Sequence, residues 1–264
     1  MKNKKNPFLV EKLREEFALN KNIEGFLSLY GASISKISNK NTKLLWDKSL
    51  NNEKNRLDFI TKDRIKKTYE VIVKTDSFKQ SKLNILDIGI GNGWIEKEII
   101  ENNSKKTISI TGLDIAEENI KKLKKEIKGF KGIVGDALSL NKYIKKKKYD
   151  YIFAFEIFEH IDPDKIFSLY KEIKKLLKKT GHLIISVPVN EDLEEKIAKK
   201  INYSAHVRRY TESIIKFELT CAGFKVINTQ ELFAFSSFYK IKTLISKIFK
   251  LRKPNVIIIN SAKQ

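Results

Sequence analysis

Between residues 83 and 134 the chain alternates short apolar runs with amphipathic helical stretches, and the first run ends in a cluster of glycines. "LNILDIGI" leaves almost no polar face, so it reads as a strand buried on both sides and not as an alternating surface strand. "GWIEKEIIENN" then takes up a helical period. "ISITGLDI", "AEENIKKLKKEIKG" and "GIVGDA" repeat the pattern as strand, helix and strand. "YDYIFAF", the helix "PDKIFSLYKEIKKLLKKTG", the strand "HLIISVPV" and the helix "TESIIKFELTCAGF" continue it. Asp162 is the expected N-cap of the first of these helices, with Pro163 at its first position, and Thr211 that of the second. "KVINTQELF" and "NVIIINSA" follow as strands with no clear crossover helix between them, which predicts an antiparallel edge. Strands that alternate with helices build a mainly parallel, doubly wound α/β sheet with helices on both faces.

Residues 1–80 have a different grammar. "NPFLVEKLREEFALN" spaces Phe8, Leu9, Leu13 and Phe17 helically, and "TKDRIKKTYEVIVKT" predicts a second helix capped by Thr61. The expected organisation is a helical N-terminal cap over 1–80, near the substrate region, and a sheet domain over 81–264.

"LDIGIGNGW" places Asp87, Gly89, Gly91 and Gly93 where the first strand ends. In an open parallel sheet, ligands bind beyond the carboxyl ends of the strands, and glycines there let the backbone approach them. The dinucleotide fingerprint G-x-G-x-x-G would need glycine where Trp94 stands, and the Gly-Lys-Ser/Thr ending of a P-loop is absent.

The remaining pattern, acidic-x-Gly-x-Gly-x-Gly, resembles the first motif of the class I S-adenosylmethionine (SAM) methyltransferases. Asp114 in "GLDIA", Asp136 in "VGDAL", "YDYIFAFEIFEHI", "LLKKTGHLIISVP" and "HVRRYTESIIKFELTCAGFKV" resemble the later segments of that family in the same order, over about residues 83–230. The resemblance implies a seven-stranded sheet and SAM as cofactor. It further implies Asp87, Gly89 and Gly91 around the methionine part, Asp114 and Ile115 at the ribose, Asp136 and Ala137 at the adenine, and Phe155 near the sulfonium. On the residues alone, Asp87 has a second role open to it, capping its own glycine loop.

Glu156, Glu159 and His160 break the apolar pattern of "FAFEIFEHI" at a spacing that shares one helical face, and Pro163 limits any turn there to a short one. His206 lies in "HVRRYT", a segment that the family brings back over the same sheet end. Three roles stand open for the group. Glu156, Glu159, His160 and His206 resemble the metal set of 3′-terminal RNA ribose methyltransferases and suit Mg²⁺, Mn²⁺ or Zn²⁺. His160 or His206 can act as the catalytic general base. Alternatively, the pair only lines the cofactor pocket. His182 reads as structural. Arg208 and Arg209 are open between an anionic substrate group and pairing with acidic residues.

The formal charge of +21 is carried mostly by lysine, with six arginines, and the lysines are spread along the chain. That favours solvated helix faces over nucleic-acid recognition, so RNA is the weaker partner and a small-molecule or glycan acceptor the stronger one. "FSSFYKIKTLISKIFKLRKP", at about 235–254, is a basic amphipathic insertion of the kind that lies on an anionic membrane or docks on the fold. The single cysteine, Cys221, excludes an intrachain disulfide, and the basic N-terminus lacks an apolar leader core. A cytoplasmic protein, in peripheral contact with the inner face of the membrane, is expected. The function expected is O-methylation of a small-molecule, glycan or lipid-linked acceptor. A metal-dependent RNA ribose methyltransferase and a non-catalytic SAM-binding protein are the alternatives.

Overall fold

A computed structural model describes residues 58–145, 147–199, 206–235 and 237–264. Most of the expected N-terminal cap, including the Phe8–Phe17 helix, lies outside the described residues. Helix α1 (Phe59–Val73) and a 3-10 turn at Asp76–Lys79 precede the sheet domain. From there the order is β1 (Lys82–Ile88), α2 (Trp94–Glu101), β2 (Thr107–Asp114), α3 (Glu117–Glu126), β3 (Lys131–Val134), α4 (Leu140–Tyr143) and β4 (Tyr149–Phe155). It continues with α5 (Ile166–Leu176), β5 (Leu177–Pro188), α6 (Leu193–Ala198), α7 (Glu212–Cys221), β6 (Phe224–Leu232), α8 (Tyr239–Phe249) and β7 (Val256–Lys263).

The seven strands form one sheet in the order β3-β2-β1-β4-β5-β7-β6. Strands β1 to β5 pair parallel, and β7 runs antiparallel to both β5 and β6. The antiparallel strand therefore sits one place inside the sheet, with β6 as the edge, and the amphipathic stretch expected at about 235–254 supplies α8, which connects the two.

The apolar runs are buried because both faces are covered. Ile85, Tyr151, Phe153 and Ile184 point into one core with α1, α2 and α3. Leu86, Ile152, Ala154, Leu183 and Ile185 alternate into the other, under α5 and α7. Each leucine, isoleucine or phenylalanine among them contributes about 1.5–3 kcal/mol when fully buried. Helix α5 buries Ile166, Leu169, Tyr170, Ile173 and Leu176, a regular helical stripe.

Three boundaries differ from expectation. Helix α1 begins at Phe59, and Asp58, not Thr61, caps it: Asp58 Oδ1 accepts from the Thr61 amide at 2.8 Å. Helix α5 begins at Ile166 after Lys165, not at Asp162–Pro163. Those residues instead form a preceding turn, closed by the Lys165 N–H donating to the Asp162 carbonyl at 2.9 Å. Strand β5 begins at Leu177, so "LKKTG" is extended and pairs beside Tyr149 across a register shift. Thr211 caps α7 as expected, its Oγ1 accepting from the Ile214 amide at 3.3 Å.

Candidate functional site at the strand ends

Parallel strands bring the carboxyl ends of β1, β2, β3 and β4 to one edge, and the sequence puts its polar residues there. The turn after β1 needs backbone that ordinary residues resist: Gly89 has φ +75° and Gly91 φ +55°. Ile157 packs over Gly89 so closely that a Cβ there would lie 2.0 Å from its Cδ1. A Cβ at Gly91 would meet only the Gly89 carbonyl, at 4.0 Å, so this glycine presents open backbone.

Asp114 is tied to that loop. Its Oδ2 accepts from the Gly91 N–H at 2.8 Å and from Asn119 Nδ2 at 3.3 Å, and its Oδ1 from the Ala116 N–H at 2.8 Å. Ile115 follows, half-buried. Asp136 lies just past β3, exposed, its Oδ1 accepting from the Leu138 N–H at 2.9 Å, and Ala137 opens a 3-10 turn. Phe155 ends β4 opposite Ser186 of β5.

Asp87 is buried at the end of β1, its carboxyl in hydrogen-bond contact with that of Glu96. Glu96 is fully buried in the first turn of α2. Burial pushes Asp87 up to about 7, and the charge of Asp114 adds to the rise. Burial and the neighbouring Asp87 push Glu96 well above the usual carboxylate range. The sequence drew no attention to Glu96; its one signal was a carboxylate facing inward on the helix that follows the loop.

The "EIFEHI" segment divides. Glu156 adopts φ +55°, a strained setting for a side-chain-bearing residue that recurs at functional sites. Its Oε1 accepts from Ser186 Oγ at 2.8 Å and pairs with Arg64 Nη1 of α1 at 3.3 Å. Residues 158–160 form a 3-10 turn that swings Glu159 inward, fully buried. Neither of its carboxylate oxygens has a hydrogen-bond partner among the described residues.

His206 returns to this turn because the Val207 N–H donates to the Glu159 carbonyl at 2.9 Å. The Nε2 atoms of His160 and His206 lie 3.9 and 4.0 Å from Glu159 Oε1, with the two rings edge to face at 4.9 Å. One ligating atom from each of Glu159, His160 and His206 falls within 4.8 Å of the others. Glu156, expected in the same set, is turned to Arg64 and Ser186 instead. Burial, and then the charge of Glu156, push Glu159 well above its ordinary value.

Glu191, just past β5, completes the arrangement: its Oε2 lies 2.6 Å from His206 Nδ1. Burial would raise Glu191, but the hydrogen bond and charge of His206, with Lys196, bring it down to about 2. Such a carboxylate fixes the ring's orientation and leaves Nε2 facing Glu159.

Both arginines near His206 pair with acids. Arg208 is fully buried against Glu218, which also accepts from Tyr210 Oη at 3.0 Å, and Arg209 meets Glu194 at 3.1 Å. His182 lies on β5 with its Nδ1 2.9 Å from Asn260 Oδ1 of β7.

Residues 79–216 match the model of a family described as a methyltransferase domain. The chain is 32% identical over 135 residues to malonyl-[acyl-carrier protein] O-methyltransferase 2 of Ilyobacter polytropus, covering 51% of this chain and 50% of that protein. It thus spans about half the length of that relative. Among solved structures, it resembles a SAM-dependent methyltransferase from Archaeoglobus fulgidus (TM-score 0.56, 22% identity, 77% of this chain and 93% of that one). It also resembles the magnesium protoporphyrin IX methyltransferase of Synechocystis PCC 6803 with bound S-adenosylhomocysteine (TM-score 0.56, 16% identity, 85% and 95%). The glycine loop, the strand order and the family match agree: the chain belongs to the methyltransferase-domain family, in the class I SAM-dependent group.

Proposed function

We propose that the chain transfers a methyl group from SAM to an oxygen of a small-molecule, glycan or lipid-linked acceptor. The observation that supports this reading best is the meeting of His160, His206 and Glu159 at the end of β4, one strand away from the open glycine loop of β1. The O-methyltransferase relative adds weight to oxygen as the receiving atom.

The residues fit SAM. Gly91 offers uncovered backbone, and the buried Asp87 carboxylate beside the loop is an acceptor suited to an ammonium group. Asp87, Gly89 and Gly91 would hold the methionine part, Asp114 and Ile115 the ribose, Asp136 and Ala137 the adenine, and Phe155 backbone beside the sulfonium. Bound SAM supplies an electrophilic methyl group. His206, oriented by Glu191, accepts the proton of the acceptor hydroxyl at Nε2 as the oxygen attacks, and His160 is the second candidate base. Holding the hydroxyl in line contributes much of the rate, because the sulfonium is already reactive. Formation of S-adenosylhomocysteine with hydroxylated acceptors tests the reading. SAM binding with no turnover across such a panel supports the non-catalytic alternative.

A divalent metal is the second reading, favoured by the buried Glu159 oxygens beside two imidazoles. Glu159, His160 and His206 would hold it, and it would lower the pKa of a bound hydroxyl. Loss of activity in EDTA, restored by Mg²⁺ or Mn²⁺, supports it; full activity in EDTA removes it. RNA remains the weaker acceptor for want of an arginine cluster. Methylation of a mixed-sequence RNA ahead of small acceptors would reverse that order.

A further inference from the structure

Helix α8 is inside out. A surface helix of a water-soluble domain turns its apolar stripe inward. Here Ile241, Leu244, Ile245 and Ile248, at the i, i+3, i+4, i+7 spacing, are 60, 59, 40 and 62% exposed, and the residues buried are Thr243 and Ser246. Phe238 and Leu251 extend the exposed stripe at its two ends. The polar side is anchored to α1: Tyr239 Oη donates to Asp63 Oδ2 at 2.9 Å, and its ring stacks on Phe59 at 6.0 Å. The apolar side is thus held outward by specific contacts.

Charge identifies what that side meets. Lys240, Lys242, Lys247 and Lys250 are exposed around the stripe, Arg252 and Lys253 follow it, and no acidic residue occurs after Glu231. Lysine stems beside an apolar stripe can bury their methylenes while the ammonium groups reach anionic headgroups. Exposed Ile and Leu have no role on a phosphodiester backbone, which disfavours RNA.

We propose that α8 is an interfacial helix that docks the protein on an anionic lipid bilayer. Helix α8 is linked to the strand ends through α1. Asp63, which holds Tyr239, is followed on α1 by Arg64, which pairs with Glu156 at the strand ends. The surface stands independently of the methyl-transfer reading, since binding is measured without turnover.

The test is co-sedimentation of the full chain with vesicles of phosphatidylcholine alone or with about a third phosphatidylglycerol. The wild type should bind the anionic vesicles at least tenfold more tightly than the neutral ones, and more weakly at high salt. Leu244→Glu/Ile248→Glu should lose tenfold or more while keeping its thermal midpoint and SAM affinity. A Leu244→Trp variant should shift its emission to the blue with anionic vesicles. No sedimentation of the wild type overturns the proposal, and so does equal sedimentation of the double variant. Wild-type dimers that the double variant converts to monomers, without vesicle binding, overturn it in favour of a second copy. A mixed-sequence RNA bound by the wild type and lost in the double variant, with no vesicle binding, overturns it too.

Discussion

Arg64 of α1 reaches Glu156 at the exit of β4, 3.3 Å between Nη1 and Oε1, and Ser186 of β5 donates to the same oxygen. Two segments distant in the chain, α1 and β5, thereby fix one carboxylate at a strained backbone position. Both side chains are partly exposed, so the pair itself contributes about 1 kcal/mol or less to stability. Arg64→Ala should therefore lower the thermal midpoint slightly yet cut turnover about tenfold or more, with Arg64→Lys in between. Initial rates and thermal melts on the same preparations check this.

His206 and Glu191 act as a pair in the proposed reaction. His206→Asn should reduce kcat by about 10²–10⁴, the range for a lost general base, with SAM affinity nearly unchanged. Glu191→Gln should lose less, because the base survives but its orientation relaxes. Titration calorimetry with SAM and single-turnover rates separate the two effects.

Glu191 also shapes acid stability. Its folded pKa is depressed to about 2, so its contribution is present above the ordinary glutamate value and is lost as pH falls towards 2. Glu191→Gln should remove about 1–2 kcal/mol of the wild type's stability loss between roughly pH 5 and 2, read from urea midpoints at each pH.

The buried Asp87–Glu96 pair has the opposite sign. Its folded pKa values are raised, so its contribution is full below the ordinary carboxylate range and falls as pH rises to about 7 and beyond. Glu96→Gln supplies an amide that can donate to Asp87. The variant should gain stability relative to wild type by about 1–3 kcal/mol between acidic and mildly alkaline pH. Urea midpoints at about pH 4.5 and 8 measure the difference.

Two glycines of one loop should respond differently. Gly89→Ala meets Ile157 and a left-handed φ together, so it should cost about 2–4 kcal/mol, partly recovered by Ile157→Ala. Gly91→Ala should cost about 1 kcal/mol but weaken SAM binding tenfold or more, because its Cβ enters the open side of the loop. Thermal melts and SAM titration distinguish clash from blockage.

Local pattern was sufficient for the doubly wound sheet and for the placing of Asp87, Asp114 and the glycines at strand ends. Both-face burial leaves continuous apolar runs, and a left-handed turn leaves glycines; each signal lies within a few residues. Boundaries followed competition between neighbouring signals. Asp58 outbid Thr61 as a cap, and Pro163 closed a turn ahead of α5 without starting it. The Glu-x-x-Glu-His spacing was visible, but it placed Glu156 and Glu159 together, whereas a left-handed residue followed by a 3-10 turn sends them apart. Arg64, Glu96 and Glu191 gave no comparable signal, since each gains its setting from a partner distant in the chain. Only packing decides which carboxylates are buried beside one another, because burial and charge pairing are properties of the assembled sheet. The same holds for α8: its stripe was legible in the sequence, but the contacts of Tyr239 with Asp63 and Phe59 decided which side faces out.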